Sequence, residues 1–154
     1  MMKCFAFCVA LSSSLVLFTH VAKAACSDLV GDANLVSSKA QDVQSYEASG
    51  DENQAKSAWN SMNHYALVGA QAFKSCDDTE PRLSYAVSFA DATAVGMHYG
   101  LIPWSEGAND IGGSLQIIDS LPHSPTVKNE WDLVDRLYLQ TCSTHNASCE
   151  RRTY

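Results

Sequence analysis

Residues 51–76 read DENQAKSAWNSMNHYALVGAQAFKSC, and the spacing of their apolar positions decides the fold. Ala55, Ala58, Trp59, Met62, Tyr65, Ala66, Gly69, Ala72 and Phe73 recur at intervals of three and four, the period of one helix face. Asp51, with Gln54 three places on, resembles a capping box, so a helix opens there and runs to about Cys76. No segment after the N-terminal stretch sustains a period-two alternation, which predicts an all-α domain.

Upstream, Leu29, Ala33, Val36, Ala40, Val43 and Tyr46 form a second stripe, giving a helix from about Ser27 to Ala48 that Ser49-Gly50 stops. The two rods have nearly equal lengths about one turn, so an antiparallel hairpin brings Cys26 beside Cys76. That proximity is what a disulfide needs, because the two Cα atoms must lie within about 7 Å.

Downstream, Asp77, Asp78, Thr79 and Pro81 break the chain and open a third helix to about Gly100. It is apolar nearly all round: Leu83, Ala86, Val87, Ala90, Ala94 and Met97 on one side, Tyr85, Phe89, Ala92 and Tyr99 on another. A helix of that kind belongs in the middle of a bundle. Ser105–Leu121 carries Ile111, Leu115, Ile118 and Leu121 but is weakened, above all in its first half, by Gly107 and Gly112-Gly113. Ser124 can cap a last helix with Pro125 at its first position, followed by Val127, Trp131, Val134, Leu137 and Tyr138 and ending near Cys142. The expected architecture is an antiparallel bundle of four to five helices stapled by two disulfides, Cys26–Cys76 and Cys142–Cys149. His64-Tyr65-Ala66-Leu67-Val68 echoes His98-Tyr99-Gly100-Leu101-Ile102, but a repeat array would not place the echo on successive helices.

Residues 1–24 read as an export signal: Lys3, an apolar stretch from Phe5 to Phe18, then Ala22-Lys23-Ala24 as the small-x-small cleavage pattern. The single domain is then residues 25–154, and its place is secreted or periplasmic. Of six cysteines, Cys4 and Cys8 leave with the signal, and the even remainder suits disulfides in an oxidising compartment. A lipid on Cys26 is the rival reading, opposed by Lys23 where an apolar residue is expected. The chain carries 10 basic and 17 acidic residues. Losing Lys3 and Lys23 brings the net charge to about −9, a balance that repels phosphate backbones and argues against nucleic acid as a partner. No later stretch is apolar enough for a transmembrane segment.

Candidate chemistry is thin. No two histidines share ligand spacing on one helix, and there is no His-Glu-x-x-His. A site of His64, His98 and Asp91 is conceivable because the second and third helices run side by side. Asp91, in an otherwise apolar helix, calls for a partner, and Arg136 is one option. Glu106, Asp110 and Asp119 cluster, as carboxylates often do on solvated faces. There is no Gly-x-Ser-x-Gly, and an even cysteine count discourages a free nucleophilic thiol. Gly112-Gly113 lacks the partners of a phosphate cradle. Asn146-Ala147-Ser148 is a glycosylation sequon, meaningful in a eukaryotic source. Trp104 follows Pro103 at a helix exit near Tyr99, where aromatic side chains can line a groove. The sequence therefore predicts an exported, acidic, noncatalytic module that binds a protein or a small molecule without a cofactor. Trp104, Tyr99, His98 and His64 are its candidate ligand-binding residues. The alternative is an exported hydrolase or metal-binding protein using His64, His98 and Asp91.

Overall fold

In the computed structural model, which describes residues 6–144 and Tyr154, with side chains from Lys23 to Ser143 and at Tyr154, the chain forms five helices. These are α1 (Ala6–Ser49), α2 (Glu52–Phe73), α3 (Thr79–His98), α4 (Trp104–Asp119) and α5 (Pro125–Thr144), with no strand among the described residues.

Local chemistry sets the boundaries. Gly50 takes a left-handed φ of 77°, which lets the Asp51 N–H reach back to the Tyr46 carbonyl at 2.9 Å and close α1. Asp51 then opens α2, its carboxylate accepting the Gln54 N–H at 3.1 Å. The same closing device recurs after α3, where Gly100 has φ 69° and Leu101 N–H donates to the Gly96 carbonyl at 2.8 Å. Ser124 caps α5, accepting the Val127 N–H at 3.2 Å, with Pro125 as the first helical residue.

α1 and α2 pair as an antiparallel hairpin, and its open end is tied by the Cys26–Cys76 disulfide, with Cα atoms 4.7 Å apart. That bond is the one disulfide whose two cysteines both lie among the described residues. Cys142 is buried at the end of α5, and its expected partner Cys149 lies outside the described residues, as does the sequon at Asn146.

α3 is the centre of the bundle, touching all four other helices. Leu83, Ala86, Ala90 and Met97 face α4 and α5, where Ile111, Leu115, Ile118, Val127, Trp131 and Val134 complete one core cluster. Ala92 packs instead with Val36, Val43, Trp59 and Met62 of the hairpin. α2 leans on α1 and touches α3 only sparsely, and α2 and α4 flank α3 without meeting. That arrangement leaves a gap between them.

Two features of these helices have physical causes. α2 ends at Phe73, short of Cys76, because the Lys74 and Ser75 amides turn back to the Gln71 and Ala72 carbonyls. α4 is continuous from Trp104, despite three glycines that weaken helices in isolation. Gly107 lies so close to Met97 that a Cβ would collide with its thioether, so the glycine is what permits α4 to approach α3.

Candidate ligand groove

The gap between α2 and α4, floored by α3, is a groove of about 580 Å³. α2 contributes Trp59, Asn63, Ala66, Leu67, Ala70 and Phe73, following the three-and-four period that defined it in the sequence. Tyr85, Phe89 and Thr93 come from α3, and the far wall is Glu106, Asn109, Asp110, Gly113, Ser114 and Ile117 of α4.

Aromatic rings shape the floor. Phe73 and Tyr85 lie 6.1 Å apart, and Tyr85 stacks on Phe89 with centroids 6.4 Å apart and planes 3° from parallel. The Tyr85 hydroxyl is fixed by donating to the Ala66 carbonyl at 2.5 Å, which binds the floor to the α2 wall. Burial, and secondarily the charge of Asp32, pushes its pKa up to about 12, so it is a neutral hydrogen-bond donor at any physiological pH. Gly69 is covered by the Tyr85 ring and Gly96 by the Trp59 indole, with no room for a Cβ at either. Leu67, 69% exposed, stands at the open rim.

The α4 wall is polar and acidic. Burial, and then the charge of Glu106, raises the Asp110 carboxyl above its ordinary range. Ser114, one turn further on, is 1% exposed, and its Oγ is shielded from solvent without a hydrogen-bond partner. Among the described residues, no lysine, arginine or histidine lines the groove. The Arg82 guanidinium lies over the Phe73 ring, 4.3 Å from its centroid.

The residues nominated by sequence are distributed differently. Trp104 and His98 come together, lining a smaller cavity of about 320 Å³ with Met97 and with Leu137 of α5. Tyr99 meets the His98 ring edge-to-face at 4.7 Å but packs toward the α1–α2 hairpin. His64 is exposed on α2 beside Tyr65, and its charge acts on Asp32 of α1. Asp91 is exposed on α3; burial of part of its carboxyl, then the charge of Glu130 on α5, raises its pKa. It makes no ion pair with Arg136. His64 and Asp91 thus face different helices, and among the described residues no three His, Cys, Asp or Glu side chains converge as metal ligands would.

Sequence reasoning placed the groove's own aromatic set, Phe73, Tyr85 and Phe89, only among the packed helix faces. The available signal was that α3 is apolar on every side: one face had to meet either another helix or a ligand.

On the other side of the hairpin, an open cavity of about 680 Å³ between α1 and α2 holds Asp28 and Asp32. Asp32 is 9% exposed, and one of its carboxylate oxygens has no partner. Burial first, then the Asp28 charge, raises its pKa from 3.8, while the His64 charge opposes them. A carboxyl with a raised folded-state pKa binds its proton more tightly in the folded chain. Its stabilising effect is therefore complete below pH 3.8 and is lost as pH rises through the folded-state value. Asp32→Asn is expected to raise the Tm at pH 7, with the gain vanishing near pH 3.5. Thermal melts of both chains across that range check it; an unchanged or lowered Tm at pH 7 would contradict the assignment.

Comparison with protein-family models, with curated proteins and with solved structures finds no match to this chain.

Proposed function

We propose that this chain is an exported, noncatalytic binding module that takes a small, largely apolar molecule into the groove between α2 and α4. One observation carries this reading: two helices flank α3 without meeting, and the space between them is walled by Trp59, Phe73, Tyr85 and Phe89. Its volume falls within the roughly 300–1,000 Å³ of small-molecule sites, and mostly apolar walls with a few polar groups are what such sites offer.

The proposal of export rests on the N-terminal signal pattern and is supported by the Cys26–Cys76 disulfide, a bond that persists in oxidising compartments. Among the described side chains burial of α1 begins at Cys26, with Lys23 and Ala24 exposed, so cleavage before Ala25 would remove none of the described core. No helix of the described residues is long and apolar enough to cross a membrane. Cys142 with Cys149 completes the proposed covalent framework. The metal-binding alternative would need His64, His98 and Asp91 to converge, and no group of three metal-ligating side chains occurs among the described residues.

The test uses N-phenyl-1-naphthylamine, a neutral fluorophore that brightens in apolar surroundings. The disulfide-bonded chain is expected to enhance its emission saturably at one site. Leu67→Glu, which puts a charge at the rim on an exposed position, is expected to weaken that binding roughly tenfold. Absence of saturable binding, or identical binding by the variant, would refute the groove as the site.

A further inference from the structure

Within the groove, every polar group on the α4 wall is able to accept a hydrogen bond and the charged ones carry the same sign. Glu106 and Asp110 stand one turn apart, Asn109 lies between them, and Ser114 follows one turn later, so the four form a stripe along one helix face. Neither carboxylate takes part in an ion pair among the described residues. The Ser114 Oγ is enclosed and unpartnered, a deficit that buried hydroxyls rarely carry.

Among the described residues, no neighbouring helix, α5 with Lys128 and Arg136 included, lines the groove with a cation. α4 contains no basic residue. On α3, His98 lines the cavity on the α5 side, and Arg82 stands over Phe73. α3 and α4 run antiparallel with Gly107 against Met97, which places Asp110 near the level of residue 94 and Arg82 about 18 Å away along the axis. Lys56 and His64 of α2 and Lys74 just after it are all exposed and line no part of the groove.

We infer that the ligand is an amphiphilic organic cation, an apolar or aromatic body carrying a protonated amine, with the amine held by Glu106 and Asp110 and within reach of Ser114. The inference rests on the groove being the binding site and deepens that reading. An ammonium group supplies only donors and a positive charge, the complement of an acidic wall on which every polar group can accept. The aromatic floor covers the body, and cation–π attraction to the indole of Trp59 adds to the hold on the head group. A bare metal ion would leave the apolar volume empty, which is why an organic cation fits the whole site.

A matched set sharing one ring system separates the terms: 2-(2-naphthyl)ethylamine, 2-(2-naphthyl)ethanol and 2-naphthylacetate, titrated calorimetrically into the full disulfide-bonded chain at pH 7. The amine is expected to bind about tenfold or more tightly than the alcohol, and the acetate weakest. In the Glu106→Gln, Asp110→Asn double variant the amine's advantage over the alcohol is expected to disappear, and in Ser114→Ala to shrink severalfold. Equal affinity of amine and alcohol, or an advantage that survives in the double variant, would overturn the inference while leaving an apolar groove in place. Failure of all three to bind would overturn the groove itself and this inference with it.

Discussion

Replacing Cys26 and Cys76 together by alanine is expected to lower the unfolding free energy by about 4 kcal/mol. The bond spans 50 residues, and closing a loop of that length in the unfolded chain removes entropy worth roughly that much at room temperature. Both cysteines are buried, at 6% and 1% exposure, in a cluster with Leu29, Ala33 and Tyr85, so truncation also loosens the end of the hairpin. Domains of this size are stable by only about 5–15 kcal/mol, so the loss is a large part of the total. Urea unfolding of the oxidised parent and the double variant measures it. A difference below about 1 kcal/mol would show that packing alone closes the hairpin.

The second large effect is at Trp59, which is 7% exposed and whose indole fills the space over Gly96. Trp59→Ala is expected to cost about 3–5 kcal/mol, the range for emptying an aromatic site in a core. It also removes one end of the groove and should weaken ligand binding. The partnership with Gly96 supplies a sharper test. In a free helix alanine is better than glycine by about 1 kcal/mol, yet in the parent chain Gly96→Ala is expected to destabilise by about 1–3 kcal/mol because its methyl would occupy the indole's place. Once Trp59 is alanine the obstruction is gone, and Gly96→Ala should become neutral or stabilising. The double-mutant cycle reads this sign change directly; additive effects would mean that the ring and the glycine do not act on each other.

The legibility of the fold followed the strength of its local signals. The α2 stripe, the Asp51 cap, the stop at Gly50 and the Ser124-Pro125 start are all governed by a few neighbouring residues, and each is found in the structure. The nearly equal rods put Cys26 beside Cys76 because helix rise is constant, so chain position converts to distance. α3 declared its central place by being apolar all round. α4 was legible as a helix weakened in its first half, because Gly107 costs helix propensity in isolation; what the glycine gains, close packing against Met97, is invisible to any local window.

The candidate site was much less legible. Trp104 and His98 drew notice as unusual residues near a helix exit, and they do share a cavity. The larger groove is built from residues that looked like ordinary core: Trp59 and Phe73 on one helix, Tyr85 and Phe89 on another. Its acidic wall looked like a solvated face. An apolar stripe has the same spacing whether it meets a helix or a ligand, because periodicity records which direction a side chain takes and not what lies there.

By itself, then, the sequence determined the helical class, the hairpin with its disulfide and the burial of α3, since each depends on spacing along the chain. Only the tertiary structure decided that α2 and α4 stay apart, that Ser114 is left enclosed without a partner, and that the Glu106–Asp110 pair borders an aromatic hollow. Those features depend on the depth to which glycines 69, 96 and 107 let the helices and rings approach, a matter of three-dimensional packing that no one-dimensional pattern records.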